Sequence, residues 1–281
     1  MSIAVSVEST CDLTKELIEK FDISVVPYNI VLGDEMFKDG EKTPEELFSF
    51  VESTGVLPKT NALNEFEYTE YFENLRKKYD GVVHICLSSG ITSSCGNAER
   101  ASKNVDNVYV IDSRSLSTGI GLLAIYAREL ERAGEDIISI VKKVTDRIPS
   151  LVTTFIIEKL NYLFKGGRCN SLQLLGANIL KLRPRIILTD GTMTNDKKYR
   201  GSMGAVIAKY ATELFEEFSS PDKEIAFITY TTATEEMLNS AEDVCKKIGF
   251  KNIYFTNCGA TVSSHCGEHT LGILFFNDGA K

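Results

Sequence analysis

Histidine is scarce in this chain of 281 residues, occurring only as His84, His265 and His269. Acid–base chemistry or metal binding through imidazole therefore has few places to sit. The seven cysteines, Cys11, Cys86, Cys95, Cys169, Cys245, Cys258 and Cys266, include no CxxC pair, which argues against zinc-ribbon and thioredoxin-like motifs. Several lie in apolar runs such as His84-Ile85-Cys86-Leu87 and read as reduced, buried thiols in a cytoplasmic protein. Basic excess is missing as well: 31 Lys and Arg face 39 Asp and Glu, a net charge of −8. That balance argues against a broad nucleic-acid or anionic-membrane surface and leaves room for a local basic site. No apolar run reaches the ~18 residues of a membrane span. The start, Met1-Ser2-Ile3-Ala4-Val5, turns polar by Glu8 and lacks the pattern of a signal peptide. P-loop, GxGxxG and GxSxG motifs are absent, and no serine triad assembles from the spacing.

What is present suffices for a packed core, since 43% of residues are hydrophobic. At roughly 150 residues per domain the length fits one large or two ordinary domains. The first half alternates strands (Ile3–Val7, Val25–Leu32, Gly81–Leu87, Val108–Ile111) with helical patterns (Leu13–Phe21, Cys95–Lys103, Thr118–Arg132). Such alternation predicts a largely parallel sheet covered on both faces. Thr43-Pro44-Glu45-Glu46 and Asn64-Glu65-Phe66-Glu67 are capped helix starts. The second half mixes helices with a hairpin at Asp190-Gly191 and reads as α+β. The expected fold is therefore α/β, an N-terminal α/β domain over 1–150 and a C-terminal α+β domain over 151–281, meeting near Pro149.

The most informative segment is polar. Leu87-Ser88-Ser89-Gly90-Ile91-Thr92-Ser93-Ser94-Cys95-Gly96 follows a buried strand and enters a helix. Ligands of parallel sheets sit outside the carboxyl ends of the strands, where a helix start offers N–H groups to an anion. Plain N-capping would need only one of these hydroxyls. Ser9-Thr10-Cys11-Asp12, Pro58-Lys59-Thr60-Asn61 and Asp112-Ser113-Arg114-Ser115 are loops of similar character. In Lys165-Gly166-Gly167-Arg168 the first glycine reads as the helix stop, and the second would admit a close approach. His265 and His269 stand four apart, a zinc-compatible spacing on a helix, but Gly267 and the Thr/Ser-rich lead-in read as a loop. Ile156, Leu163, Leu172, Leu175 and Ile179 suit a core and a ligand wall equally well.

Five segments in order resemble the DegV family of bacterial fatty-acid-binding proteins, over essentially the whole chain. They are Glu8-Ser9-Thr10-Cys11-Asp12, Thr60-Asn61-Ala62-Leu63-Asn64, Ser88–Ser94, Asp112-Ser113 and, most specific, Leu160-Asn161-Tyr162-Leu163-Phe164-Lys165-Gly166-Gly167-Arg168. Ser263-Ser264-His265-Cys266-Gly267 is similar to a sixth family segment near the C-terminus, with the family's Pro-Gly replaced by Glu268-His269. The resemblance implies one long-chain fatty acid held between the two domains, no cofactor, no metal and no catalytic residues of its own. It implies carboxylate binding by Thr60, Asn61, Thr92, Ser93 (through its N–H) and His265, with Arg168 near the head group. It also implies a separate ATP-dependent fatty acid kinase subunit as partner, docked through Arg200, and only transient membrane contact. A monomer is expected, since no interface stripe stands out. Two other readings remain open: an enzyme or binder for a small anionic metabolite at the same strand ends, and a metal-dependent hydrolase using His265 and His269.

Overall fold

The computed structural model describes residues 2–169 and 182–279, arranged around three sheets. Four strands, β1 (Ile3–Glu8), β2 (Ile23–Val26), β6 (Gly81–Cys86) and β7 (Val108–Asp112), run parallel in the order β2-β1-β6-β7. Every residue of β1 and β6 is buried, as expected for a parallel sheet covered on both faces. Because the strands share one direction, the loops after β1, β6 and β7 gather along a single edge.

A small antiparallel sheet, β4-β3-β5, sits beside that edge, built from β3 (Asn29–Leu32), β4 (Glu35–Lys38) and β5 (Lys59–Asn61). The stretch expected as one strand over Val25–Leu32 is thus two strands in different sheets. Pro27, which has no N–H to give a ladder, stands at the break. The third sheet is mixed, β10-β9-β8-β13-β11-β12, and comes wholly from the second half: β8 (Leu151–Ile156), β9 (Leu182–Thr189), β10 (Thr192–Arg200), β11 (Ile225–Tyr230), β12 (Asn252–Asn257) and β13 (Leu271–Phe276). Asp190 and Gly191 both take positive φ, 49° and 78°, which gives the primed turn expected of Asp-Gly between β9 and β10. Among the described residues, no strand before Leu151 pairs with one after it.

Helices flank these sheets, two of them opening at the expected capping boxes. They are α1 (Lys15–Phe21), α2 (Pro44–Thr54), α3 (Glu65–Arg76), α4 (Ser94–Ser102), α5 (Thr118–Arg132), α6 (Ile137–Arg147), α7 (Leu160–Gly166), α8 (Met203–Glu217), α9 (Glu235–Ile248) and α10 (Ala260–Cys266). Thr43 with Glu46, and Asn64 with Glu67, close reciprocal capping boxes. Helix α5 is buried almost all round from Thr118 to Arg128 because it lies between sheets, against β1 and β6 on one side and β8, β11 and β13 on the other. One apolar core runs through it, from Val5 and Val83 past Ile120 to Phe155, Phe227 and Leu274. All seven cysteines are buried as thiols, and no described helix is long and apolar enough to cross a membrane. Ile156 packs in the core under α8, and Leu163 is fully buried beside the cavity described below. Leu172, Leu175 and Ile179 lie outside the described residues.

Removing one arm of a capping box tests this local logic. Asn64→Ala loses the bond from the Glu67 N–H, 3.0 Å, and should cost about 1 kcal/mol. Urea denaturation should show a lower midpoint with an unchanged m-value.

Candidate functional site

The loops at the parallel sheet edge meet α7, α10 and the β9–β10 hairpin around a cavity of about 430 Å³. That falls within the ~300–1,000 Å³ of small-molecule sites. Thr60, Thr92, Ser93, Arg168 and His265 all line it, although they are far apart in sequence. Asn61 does not. In β5 successive side chains alternate, so Thr60 is half-buried while Lys59 and Asn61 face solvent. Arg200 is exposed at the far end of β10, roughly 25 Å from the hairpin tip at the usual strand rise.

Contacts between the halves fix the loop that carries Thr92 and Ser93. The Ser88 hydroxyl donates to the Gly191 carbonyl at 2.7 Å, and a Cβ on Gly90 would lie 2.6 Å from that same oxygen. Glycine at position 90 therefore lets the hairpin tip seat on the loop. Thr92, not Ser93, serves the start of α4: its Oγ1 accepts the Ser94 N–H at 3.2 Å. The Ser94 hydroxyl accepts the Leu63 N–H at 3.1 Å and ties this loop to the segment after β5.

His265 sits in the last turn of α10, so the loop expected here is a short helix. Its Nε2 hydrogen-bonds the Thr60 hydroxyl at 2.8 Å, while Nδ1 has no partner. Burial first, and the Arg168 charge second, push the imidazole down to about 4, so it is neutral at pH 7. The two glycines at the end of α7 exchange their expected roles. Gly167 is the left-handed helix stop, at φ 68°, and Gly166 is the close approach, since a Cβ there would lie 2.6 Å from His265 Nδ1. Gly267 ends α10 and sends His269 away from His265, with its Nε2 3.9 Å from Glu158. The two imidazoles therefore do not share one helical face.

Sequence reasoning missed what holds α10 in place. Asp12 accepts the Gly259 N–H at 2.7 Å and the Ser117 hydroxyl at 2.5 Å. Asp39 accepts the Thr261 N–H at 3.3 Å and the Ser9 hydroxyl at 2.8 Å. Two carboxylates from the first half thus satisfy N–H groups at the start of the helix that bears His265. Glu8 is a third buried acid, accepting from the Tyr68 hydroxyl and the Leu87 N–H, each at 2.5 Å. Burial raises Glu8 and Asp12 to about 7 each, against the lowering effect of their hydrogen bonds. Glu8 of β1 and His84 and Cys86 of β6 bring their ligand atoms within 4.8 Å of one another. His84 packs edge-on to Tyr68 and Phe72 and bonds the Ser6 hydroxyl at 2.9 Å, and burial lowers it to about 3.

Polar and apolar residues both line the cavity. Leu87, Ile91, Leu116, Leu163 and Val262 form walls. Leu116, Val262 and Cys266 also border a smaller chamber of about 20 Å³, whose other walls include Phe155, Gly272 and Leu274. The arrangement suits an anionic head with an apolar tail.

A family model described as "Uncharacterised protein, DegV family" matches residues 2–278. Protein DegV of Bacillus subtilis is 30% identical over 283 residues, covering 98% of this chain and 99% of the relative. The crystal structure of DegV, a fatty acid binding protein from that organism, superposes with a TM-score of 0.87 at 27% identity, over 99% of this chain and 100% of that one. A DegV family protein from Thermus thermophilus, whose structure is titled for fatty acid binding, has the same fold, with a TM-score of 0.91 at 22% identity over 99% of this chain and 100% of that one.

The buried acids give a signed pH prediction. A carboxyl raised by folding binds more protons folded than unfolded between its two pKa values, so its stability contribution is present at low pH and is lost as pH rises through about 7. His84 and His265, both lowered, act oppositely but only below the ordinary histidine range. Glu8→Gln should therefore stabilise the protein relative to the parent more at pH 8 than at pH 5.5. Equal changes in Tm at both would show that Glu8 titrates normally.

Proposed function

The chain belongs to the DegV family, and from that premise we propose that it binds one long-chain fatty acid between its two halves, 1–150 and 151–281. The observation that carries this reading is a head-group site rich in neutral donors that shares the walls Leu116 and Val262 with an apolar chamber. A buried carboxylate needs several donors. The Thr60 and Thr92 hydroxyls, an N–H of neutral His265 and the Ser93 N–H at the start of α4 provide them, helped by the helix dipole. Arg168 at the rim adds positive charge beside the His265 ring. Asn61 stands outside this set because its side chain faces solvent. The tail runs between Leu116 and Val262 toward Phe155, gaining roughly 0.8 kcal/mol for each methylene removed from water. For about sixteen carbons that is on the order of 10 kcal/mol before ordering costs.

On this reading the protein is a carrier and not itself an enzyme. It presents the carboxylate to a separate ATP-dependent kinase subunit that forms the acyl phosphate. The family pattern assigns docking to Arg200, and its exposure on β10, away from the cavity, fits a surface role.

Comparing an acid with its alcohol separates head-group recognition from packing. His265→Ala with Thr92→Val should weaken binding of hexadecanoic acid about 100-fold, the scale of two charge-assisted hydrogen bonds. Binding of hexadecanol should change much less. Equal losses would mean that the two residues only pack. A pull-down with the kinase subunit should succeed with the parent and fail with Arg200→Ala; retention by both would remove Arg200 from the interface.

A further inference from the structure

We infer that the cavity holds a second, uncharged polar subsite beside the carboxylate site, formed by Thr10, Tyr28 and Thr261, which takes a hydroxyl carried near the carboxyl end of the acid. The inference rests on the fatty-acid reading above and narrows its ligand class to long-chain acids hydroxylated at C2 or C3.

All three residues line the cavity and are almost fully buried, with exposures of 0%, 2% and 4%. None of their hydroxyls closes a well-aligned hydrogen bond, although Tyr28 reaches toward Thr92 and Ser94, and Thr10 toward Glu8. They come from three separate elements: the turn after β1, the residue before β3 and the first turn of α10. Tyr28 lies beside Thr92 and Ser94, and Thr10 beside Glu8. Thr261 precedes His265 by one turn of α10, about 6 Å along the axis. The subsite is therefore within a few carbon atoms of the proposed carboxylate position.

Buried hydroxyls without partners are costly and rare in native proteins. A plain methylene chain passing these three adds no polar partner for them. Hydroxyls both donate and accept, so their natural complement is another hydroxyl. A site built to bond a hydroxyl discriminates against the analogue that lacks it. The competing occupant is an ordered water, for which the polar wall also has room.

Calorimetric titration of the full-length protein with hexadecanoic, 2-hydroxyhexadecanoic and 3-hydroxyhexadecanoic acids decides between them. At least one hydroxy acid should bind about tenfold tighter than the parent acid, the scale of one net hydrogen bond. Tyr28→Phe, and separately Thr261→Val, should bring that ratio close to one. Two near-isosteric variants guard against a single folding failure. Hydroxy acids that bind no tighter than hexadecanoic acid would overturn the inference and assign the hydroxyls to water, with the fatty-acid reading intact. Failure of all three acids to bind would overturn that reading itself.

Discussion

Asp12 is the contact on which the site geometry depends. It follows the first strand, yet its carboxyl holds the Ser117 hydroxyl at the entrance to α5 and the Gly259 N–H at the entrance to α10. Through α10 it sets His265, and through the Ser117 loop it sets Leu116, which walls the cavity. Asp39 repeats the hold from the small sheet. The seam between the halves is therefore polar and directional at this edge and apolar behind it, where α5 fills the space between sheets. Directional bonds fix register, and burial of apolar surface supplies most of the adhesion.

That seam also explains why the donors facing the cavity are mostly neutral. Glu8 and Asp12 are buried close by, and both are held near 7 by burial. A buried cation placed among them would pair with a resident carboxylate and be lost to a ligand. Hydroxyls, backbone N–H groups and a neutral imidazole leave the resident acids undisturbed and still solvate an incoming carboxylate. Arg168 contributes from the exposed rim, where its charge is already hydrated and costs little to keep.

Features set by neighbours in sequence were legible from the residues alone. The capping boxes at Thr43 and Asn64, the Asp190-Gly191 turn and the extent of α5 all depend on side chains within a few positions. Features set by distant partners were not. Strand β5 has only three residues and shows two polar side chains to solvent, so its pairing with β3 leaves no periodic trace. Helix α10 opens with glycine and is rich in Thr and Ser, a poor helix former held by acids more than 200 residues away, as the Asp12–Gly259 separation of 247 shows. The two glycines at the end of α7 were recognised as a pair, but the one that meets His265 is identified only by the packing of α10 on α7. The family pattern marked Thr60, Thr92 and His265, and the fold is what brings them to one cavity.

The central claim is occupancy of that cavity by a fatty acid. Native mass spectrometry of the purified protein, after incubation with a mixture of long-chain acids and removal of excess, tests it most directly. The account predicts a complex heavier than the bare chain by the mass of one long-chain acid, released intact into organic solvent. A spectrum containing only the bare chain would contradict it.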